Sequence, residues 1–169
     1  MRIFLKNKAT NKITSQEAES YLSLSKNIRY QYVEATQKEI DAYLLQEAKN
    51  SKITEIQTAK EIDLYLNVSY NNKDFISSEK AVSNITGAII LDQDSYDWLD
   101  ADGNSVTMTV NDLKSLVGII ATQRSLVYNK EATKIKEIND AQTIEEVNLI
   151  DWNLSFATSP GFVSGVIDS

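Results

Sequence analysis

The chain contains no cysteine and no histidine. Without cysteine there are no disulfides, no thiolate metal sites and no cysteine nucleophile. Without histidine it lacks the commonest base near neutral pH, the Ser-His-Asp arrangement and imidazole metal ligands. No glycine-rich phosphate loop or dinucleotide-binding pattern is present either. The expectation is a protein that is not an enzyme and holds no cofactor. No apolar run exceeds about five residues, far short of the roughly 18 needed for a membrane span, so no membrane partner is expected. The first six residues lack a signal-peptide hydrophobic region and read as a strand, which points to synthesis and retention in a cytoplasm.

What is present suits a globular fold. An apolar fraction of 42% supports a core, and 169 residues fit one domain, or one small domain with an appendage. The net charge of −7 is unevenly spread. Residues 1–30 hold Arg2, Lys6, Lys8, Lys12, Lys26 and Arg29 against Glu17 and Glu19, a local charge of +4 that leaves −11 for the remainder. An acidic body repels phosphates, so no nucleic acid partner is expected. The basic end either meets an acidic partner surface or is a solvated strand edge protected by lysines.

Residues 1–35 read as a small β-α-β module. Ile3–Leu5 is a strand candidate, Thr14-Ser15-Gln16-Glu17 a capping box for a short helix carrying Ala18, Tyr21 and Leu22, and Ile28 to Val33 a half-buried alternating strand. Tyr30 and Tyr32 suit interface anchoring, because tyrosine buries apolar area and keeps a polar tip, and they equally suit internal packing. Thr36-Gln37-Lys38-Glu39 opens a second capping box. A helical stretch follows through Ile40, Tyr43, Leu44, Ala48, Ile53, Ile56, Ala59, Ile62 and Leu66. Its weak point is Asn50-Ser51, whose side chains compete for backbone hydrogen bonds. That divides it into a linker helix, 36–50, and the opening helix of a domain, 51–152. The imperfect heptad favours core packing over a coiled coil.

The rest of the chain is organised around Asn67–Val110. Val68–Tyr70 and Asp74–Ile76 are short strand candidates about Asn71-Asn72, which tolerate positive φ. Ser77 or Ser78 caps a helix whose buried stripe is Ala81, Val82, Ile85, Ala88 and Ile89, with Gly87 allowing close packing. Tyr96–Leu99 and Ser105–Met108 form a second hairpin about Asp102-Gly103, with Trp98 pointing into the core. Thr109-Val110-Asn111-Asp112 caps a long helix through Leu113, Leu116, Val117, Ile120, Val127, Tyr128, Ile135 and Ile138, where Gly118 marks a close crossing. Thr143-Ile144-Glu145-Glu146 caps a short helix with Val147 and Ile150. The expected fold class is α+β, predominantly helical, with long helices packed on two short hairpins.

Asp92, Asp94, Asp97, Asp100 and Asp102 crowd eleven residues. No register among them places glycine sixth and an acid twelfth, so turn formation is preferred to a calcium loop. From Asn153 the character changes: the single proline and two of the five glycines occur here, without a basic residue. Leu154, Phe156, Phe162 and Val166 are too apolar for an idle tail. Residues 153–169 are read as an extended tail crossing a neighbouring subunit, against a tail folded on its own domain or simply disordered.

In this order, the Asn-Asn hairpin, the Ser83-Asn84-Ile85-Thr86-Gly87-Ala88 helix, the strand ending near Trp98, the Asp100-Ala101-Asp102-Gly103-Asn104 turn and Thr109–Leu113 resemble an uncharacterised domain of tailed bacteriophages. That domain occurs in tail fibre and tail-fibre-assembly-type gene products. The resemblance covers about Ser51–Trp152 and implies no catalytic residues. It implies a structural component of the tail, fibre-associated or a baseplate adaptor, located in the virion tail after synthesis in the bacterial host. The alternative is a fibre assembly chaperone absent from the mature virion; a glycan-degrading or receptor-binding enzyme is a third reading. Expected partners are other tail or fibre proteins and, in a homo-oligomer, further copies. Arg2, Tyr30, Tyr32, Leu154, Phe156, Phe162 and Val166 are the candidate partner-binding residues.

Overall fold

The computed structural model describes residues 2–153. They form a predominantly helical α+β structure of two compact units. The first comprises residues up to Ile53 together with Ile138–Leu149. The second comprises Thr54–Glu137 together with the residues from Ile150. Two long helices, α3 (Gln37–Leu64) and α5 (Val110–Asp140), contribute to both.

In the first unit, β1 (Arg2–Asn7) is the middle strand of an antiparallel sheet, flanked by β2 (Ile13–Glu17) and β3 (Tyr32–Glu34). The connecting turn forms because Asn7 Oδ1 accepts from the amides of Ala9 and Thr10, both at 2.9 Å, and Asn11 takes φ 56°. Thr14–Glu17 is therefore a strand and not a capping box: Leu5 faces Thr14 and Arg2 faces Glu17 in register. The helix it was expected to cap, α1 (Ala18–Ser23), starts from Glu17 without a side-chain cap. Nor is Ile28–Val33 one strand. Ser25 caps a single turn, α2 (Lys26–Arg29), its hydroxyl accepting from the Ile28 amide at 3.4 Å, and only the last residues reach β3.

The Thr36 capping box is present. The Glu39 carboxylate accepts from the Thr36 amide at 2.9 Å and the Thr36 hydroxyl accepts from the Glu39 amide at 3.4 Å. Glu39 also pairs with Lys6 at 2.6 Å. First the Lys6 hydrogen bond, then those from Thr36, hold its carboxyl down at about 2. A depressed carboxyl contributes stability that is complete above its ordinary value of 4.5 and is lost as pH falls toward 2. Glu39→Gln is therefore expected to lower the urea midpoint at pH 7, and the gap from the unaltered protein should close near pH 2.

Helix α3 continues through Asn50-Ser51, contrary to the expected division there. The Gln46 amide donates to Asn50 Oδ1 at 2.9 Å, one turn apart, which draws the asparagine side chain away from the backbone. In the first unit, the α5 end is closed by Lys49 Nζ donating to the Asn139 carbonyl at 2.7 Å. Helix α6 (Ile144–Leu149) opens on the expected box, the Glu146 amide donating to the Thr143 hydroxyl at 3.1 Å. Leu5, Ile138, Ala141 and Val147 are buried here.

The second unit is built on two hairpins. In the first, β4 (Val68–Tyr70) and β5 (Lys73–Phe75) meet through Asn71 and Asn72 at φ 50° and 59°. In the second, β6 (Ser95–Leu99) and β7 (Ser105–Thr109) pair Tyr96 with Met108 and Trp98 with Val106, with Gly103 at φ 85° in the turn. Between them lies α4 (Glu79–Leu91), capped by Ser78, whose hydroxyl accepts from the Ala81 amide at 3.2 Å. Val68, Phe75, Ile85, Ala88, Met108, Leu113, Leu116 and Ile120 form the core, with Val82, Ile89 and Trp98 packed against it. Each large apolar side chain buried there stabilises the fold by about 1.5–3 kcal/mol.

Polar contacts close this core. The Tyr70 hydroxyl donates to Asp112 at 2.7 Å, which raises the tyrosine's pKa, while Asp112's is lowered first by the Thr109 hydroxyl and then by Tyr70. The Thr109 cap of α5 is thereby tied to β4. Carbonyls at the C-terminal end of α3 are satisfied by Ser77 Oγ donating to the Leu66 carbonyl at 2.7 Å and by the Gln123 amide donating to the Asp63 carbonyl at 3.2 Å.

Two glycines correct the sequence reading. Gly87 and Gly118 are exposed, and a Cβ at either would meet nothing within 4 Å. Neither makes a close approach, so both simply weaken their helices. Gly87→Ala and Gly118→Ala are each expected to stabilise by about 0.5–1 kcal/mol, measurable as a higher urea midpoint. Tyr128 is 53% exposed and lies near Lys60, whose Nζ is 5.8 Å from the ring centroid, and so lies outside the buried stripe of α5.

Candidate functional site

The sequence-selected residues of the N-terminal module occupy opposite ends of β1. Arg2 is exposed at its start, opposite Glu17. Tyr32 is half-buried opposite Asn7 at its far end. Five residues of strand separate the two positions by roughly 17 Å, so they are not one cluster. Tyr30 closes α2, is 79% exposed and carries Lys8 Nζ 4.2 Å above its ring. The Lys8 amide donates to the Gln31 carbonyl at 2.9 Å, holding Tyr30 and Tyr32 beside the end of β1. Leu154, Phe156, Phe162 and Val166 lie outside the described residues.

The same unit also exposes the apolar side chains Leu22, Ile28 and Val33. Val33 was legible from its place in the alternating run. Leu22 lies on the expected short helix, α1, which buries no residue. Strands β2 and β3 are the sheet edges, each paired with β1 alone among the described residues. Lys8, Lys12 and Lys26 are exposed in the same unit, Lys8 over Tyr30, so this unit exposes apolar and basic side chains together with two strand edges.

The second unit carries a polar cavity of about 810 Å³ where its hairpin turns meet, lined by Asn71, Asn72, Lys73, Asp74, Asp100 and Asp102 among others. Asp100 is buried and organises the turn. Its Oδ1 accepts from the amides of Asn104 at 2.8 Å and Asp102 at 3.0 Å, and Lys73 Nζ stands 3.6 Å from Oδ2. The Asn104 backbone hydrogen bond is the main reason its pKa is lowered. The Ala101 amide donates to the Asp74 carbonyl at 2.7 Å, latching one hairpin to the other. Of the clustered aspartates, Asp92 and Asp100 form turns, Asp92 as the left-handed cap of α4 at φ 49°, whereas Asp97 lies within β6 and accepts from the Thr107 hydroxyl of the paired strand at 3.0 Å. Among the described residues no group of three acids could hold a metal ion, and no helix is long and apolar enough to cross a membrane.

A pair of long helices, two hairpins latched at their turns and a small N-terminal sheet define a mixed α+β protein. The chain belongs to a family described as a domain of unknown function, DUF4376, whose model matches residues 44–152. The match takes in α3 from Leu44 and everything after it to Trp152, and leaves the N-terminal sheet outside. No curated protein and no solved structure matches the chain.

Proposed function

We propose that this protein is a structural component of a tailed-phage tail, fibre-associated or a baseplate adaptor, that works by binding other proteins. The observation that carries the reading is the surface of the first unit: two open strand edges beside exposed Leu22, Ile28, Tyr30 and Val33, flanked by lysines. Open edges accept a further strand, and an exposed tyrosine among aliphatic side chains is the usual composition of an interface anchor. The five-motif resemblance supplies the phage tail as the setting. The latched hairpins and helices of the second unit act as a rigid spacer.

The test is mass spectrometry of purified, salt-washed virions, quantified against the major tail proteins. A stable stoichiometric signal is expected. Absence from virions, with the protein abundant in the infected-cell lysate, would overturn the structural reading in favour of an assembly chaperone.

A further inference from the structure

From Ser115 to Thr133, roughly 27 Å of α5, every exposed residue is uncharged, in a chain of which 24% is charged. The three charged residues of this span are not exposed and have partners in their own unit. Arg124 donates to the Ser77 carbonyl at 2.7 Å, Lys130 lies 3.6 Å from Asp63, and Glu131 lies 3.3 Å from Lys60. On the outer face stand Ile119 and Leu126, 36% and 55% exposed. Ser115, Thr122, Asn129 and Thr133 complete a row with them at alternating steps of four and three residues, the spacing of a helix-packing seam. Its hydroxyls are already satisfied: those of Ser115, Thr122 and Thr133 each donate to the carbonyl four residues back, at 2.9, 2.9 and 3.0 Å. Covering this seam therefore strands few polar groups. Gln123, between the two large side chains, donates to the Asp63 and Leu66 carbonyls at 3.2 and 3.4 Å, which brings the exposed Leu66 alongside.

We infer that this face of α5 packs antiparallel on the same face of a second copy, across a two-fold axis near residues 122–125. Charge selects both the partner and the sense. Asp112 bounds the row at its start and Lys136 at its end. Asp112 keeps its full charge, because its hydrogen bonds come from neutral groups, the Tyr70 and Thr109 hydroxyls and the Thr109 amide. In the antiparallel sense, one register sets Leu126 of one copy on Thr122 of the other and Asp112 beside Lys136. Lys114 then comes near Glu137, which keeps Lys134 of its own helix at 3.0 Å. In the parallel sense each of these charges would oppose its own kind. A face whose charges reverse from end to end is complementary to itself turned around, as a closed two-fold interface requires. Ser125 and Ala132, exposed on its flank, are small enough for the axes to approach to the lower end of the usual range of about 8–10 Å. One helix face is small beside the roughly 20–30 residues a side of a stable interface, so the dimer forms at high protein concentration. The inference rests on α5 alone and stands or falls independently of the tail assignment.

Sedimentation velocity of the full chain, from micromolar to millimolar concentration, is expected to show a reversible monomer–dimer equilibrium. Leu126→Glu should raise the dissociation constant roughly tenfold or more, by setting an unpaired carboxylate in the seam. Its circular dichroism spectrum should be unchanged, since Leu126 is exposed. Ile90→Glu, at an exposed position of α4, should leave the equilibrium as it is. The chain has no cysteine, so spin labels on single introduced thiols report the sense by dipolar EPR. Labels at Ser125→Cys should lie roughly 10 Å apart in the dimer, and labels at Ser115→Cys roughly 27 Å or more. A protein that stays monomeric throughout would leave the face to a different partner and overturn the inference. So would a dimer indifferent to Leu126→Glu, a dimer broken by Ile90→Glu, or a short separation at Ser115.

Discussion

Ile85→Ala is expected to destabilise the protein by about 2–5 kcal/mol, while Ile90→Ala on the same helix stays within about 0.5 kcal/mol of the unaltered chain. Both residues are isoleucines on α4. Ile85 is 0% exposed in the cluster with Phe75, Met108 and Leu113, whereas Ile90 is 77% exposed. Truncating Ile85 forfeits the transfer free energy of its methyl groups and leaves a cavity, because two hairpins and α5 converge there and cannot all collapse inward. At Ile90 little packing is lost and alanine's better helix propensity offsets it. Urea titration of the two variants checks the pair, since a slope near 1–3 kcal/mol per molar turns the Ile85 loss into a midpoint shift on the order of 1 M. Equal small effects would mean that α4 does not cover the hairpins as described.

Trp152→Ala is expected to cost about 3–5 kcal/mol. Trp152 is 4% exposed, donates to Asp63 Oδ2 at 2.7 Å and lies under Lys130 Nζ, 4.1 Å from its ring. Asp63 sits in the last turn of α3 and Lys130 on α5, so one indole joins two helices of the second unit to the residue that closes the family match. Trp152→Phe separates the contributions: it keeps most of the packing and loses the hydrogen bond to a charged group, a loss of about 1.5–3 kcal/mol. Thermal unfolding followed by circular dichroism should place the phenylalanine variant between the other two. A phenylalanine variant as unstable as the alanine one would make the hydrogen bond the whole of the anchor.

The candidate surfaces were partly legible. The basic N-terminal end and its two tyrosines were visible as charge and residue type, yet pairing places Arg2 and Tyr32 at opposite ends of β1 and brings Lys8 onto Tyr30. A cation over a ring across twenty-two positions of sequence leaves no mark in local pattern. The short helix carrying Leu22 was legible, but not that α1 buries none of its residues.

By itself the sequence determined whatever a few neighbouring residues decide through their own hydrogen bonds and backbone sterics. The caps at Thr36, Ser78, Thr109 and Thr143 are of this kind, as are the positive-φ turns at Asn71-Asn72 and Gly103 and the buried stripe of α4. Tertiary structure decided the cases where local preference was weak or divided. Thr14–Glu17 has a capping pattern, yet strand pairing to β1 satisfies both backbone groups of every second residue, about four groups, where a cap would satisfy two. Asn50-Ser51 stays helical because propensity costs of a few tenths of a kcal/mol per residue yield to the surrounding helix. Gly87, Gly118 and Tyr128 face solvent because the orientation of a helix is settled by what packs against it, which no local pattern contains.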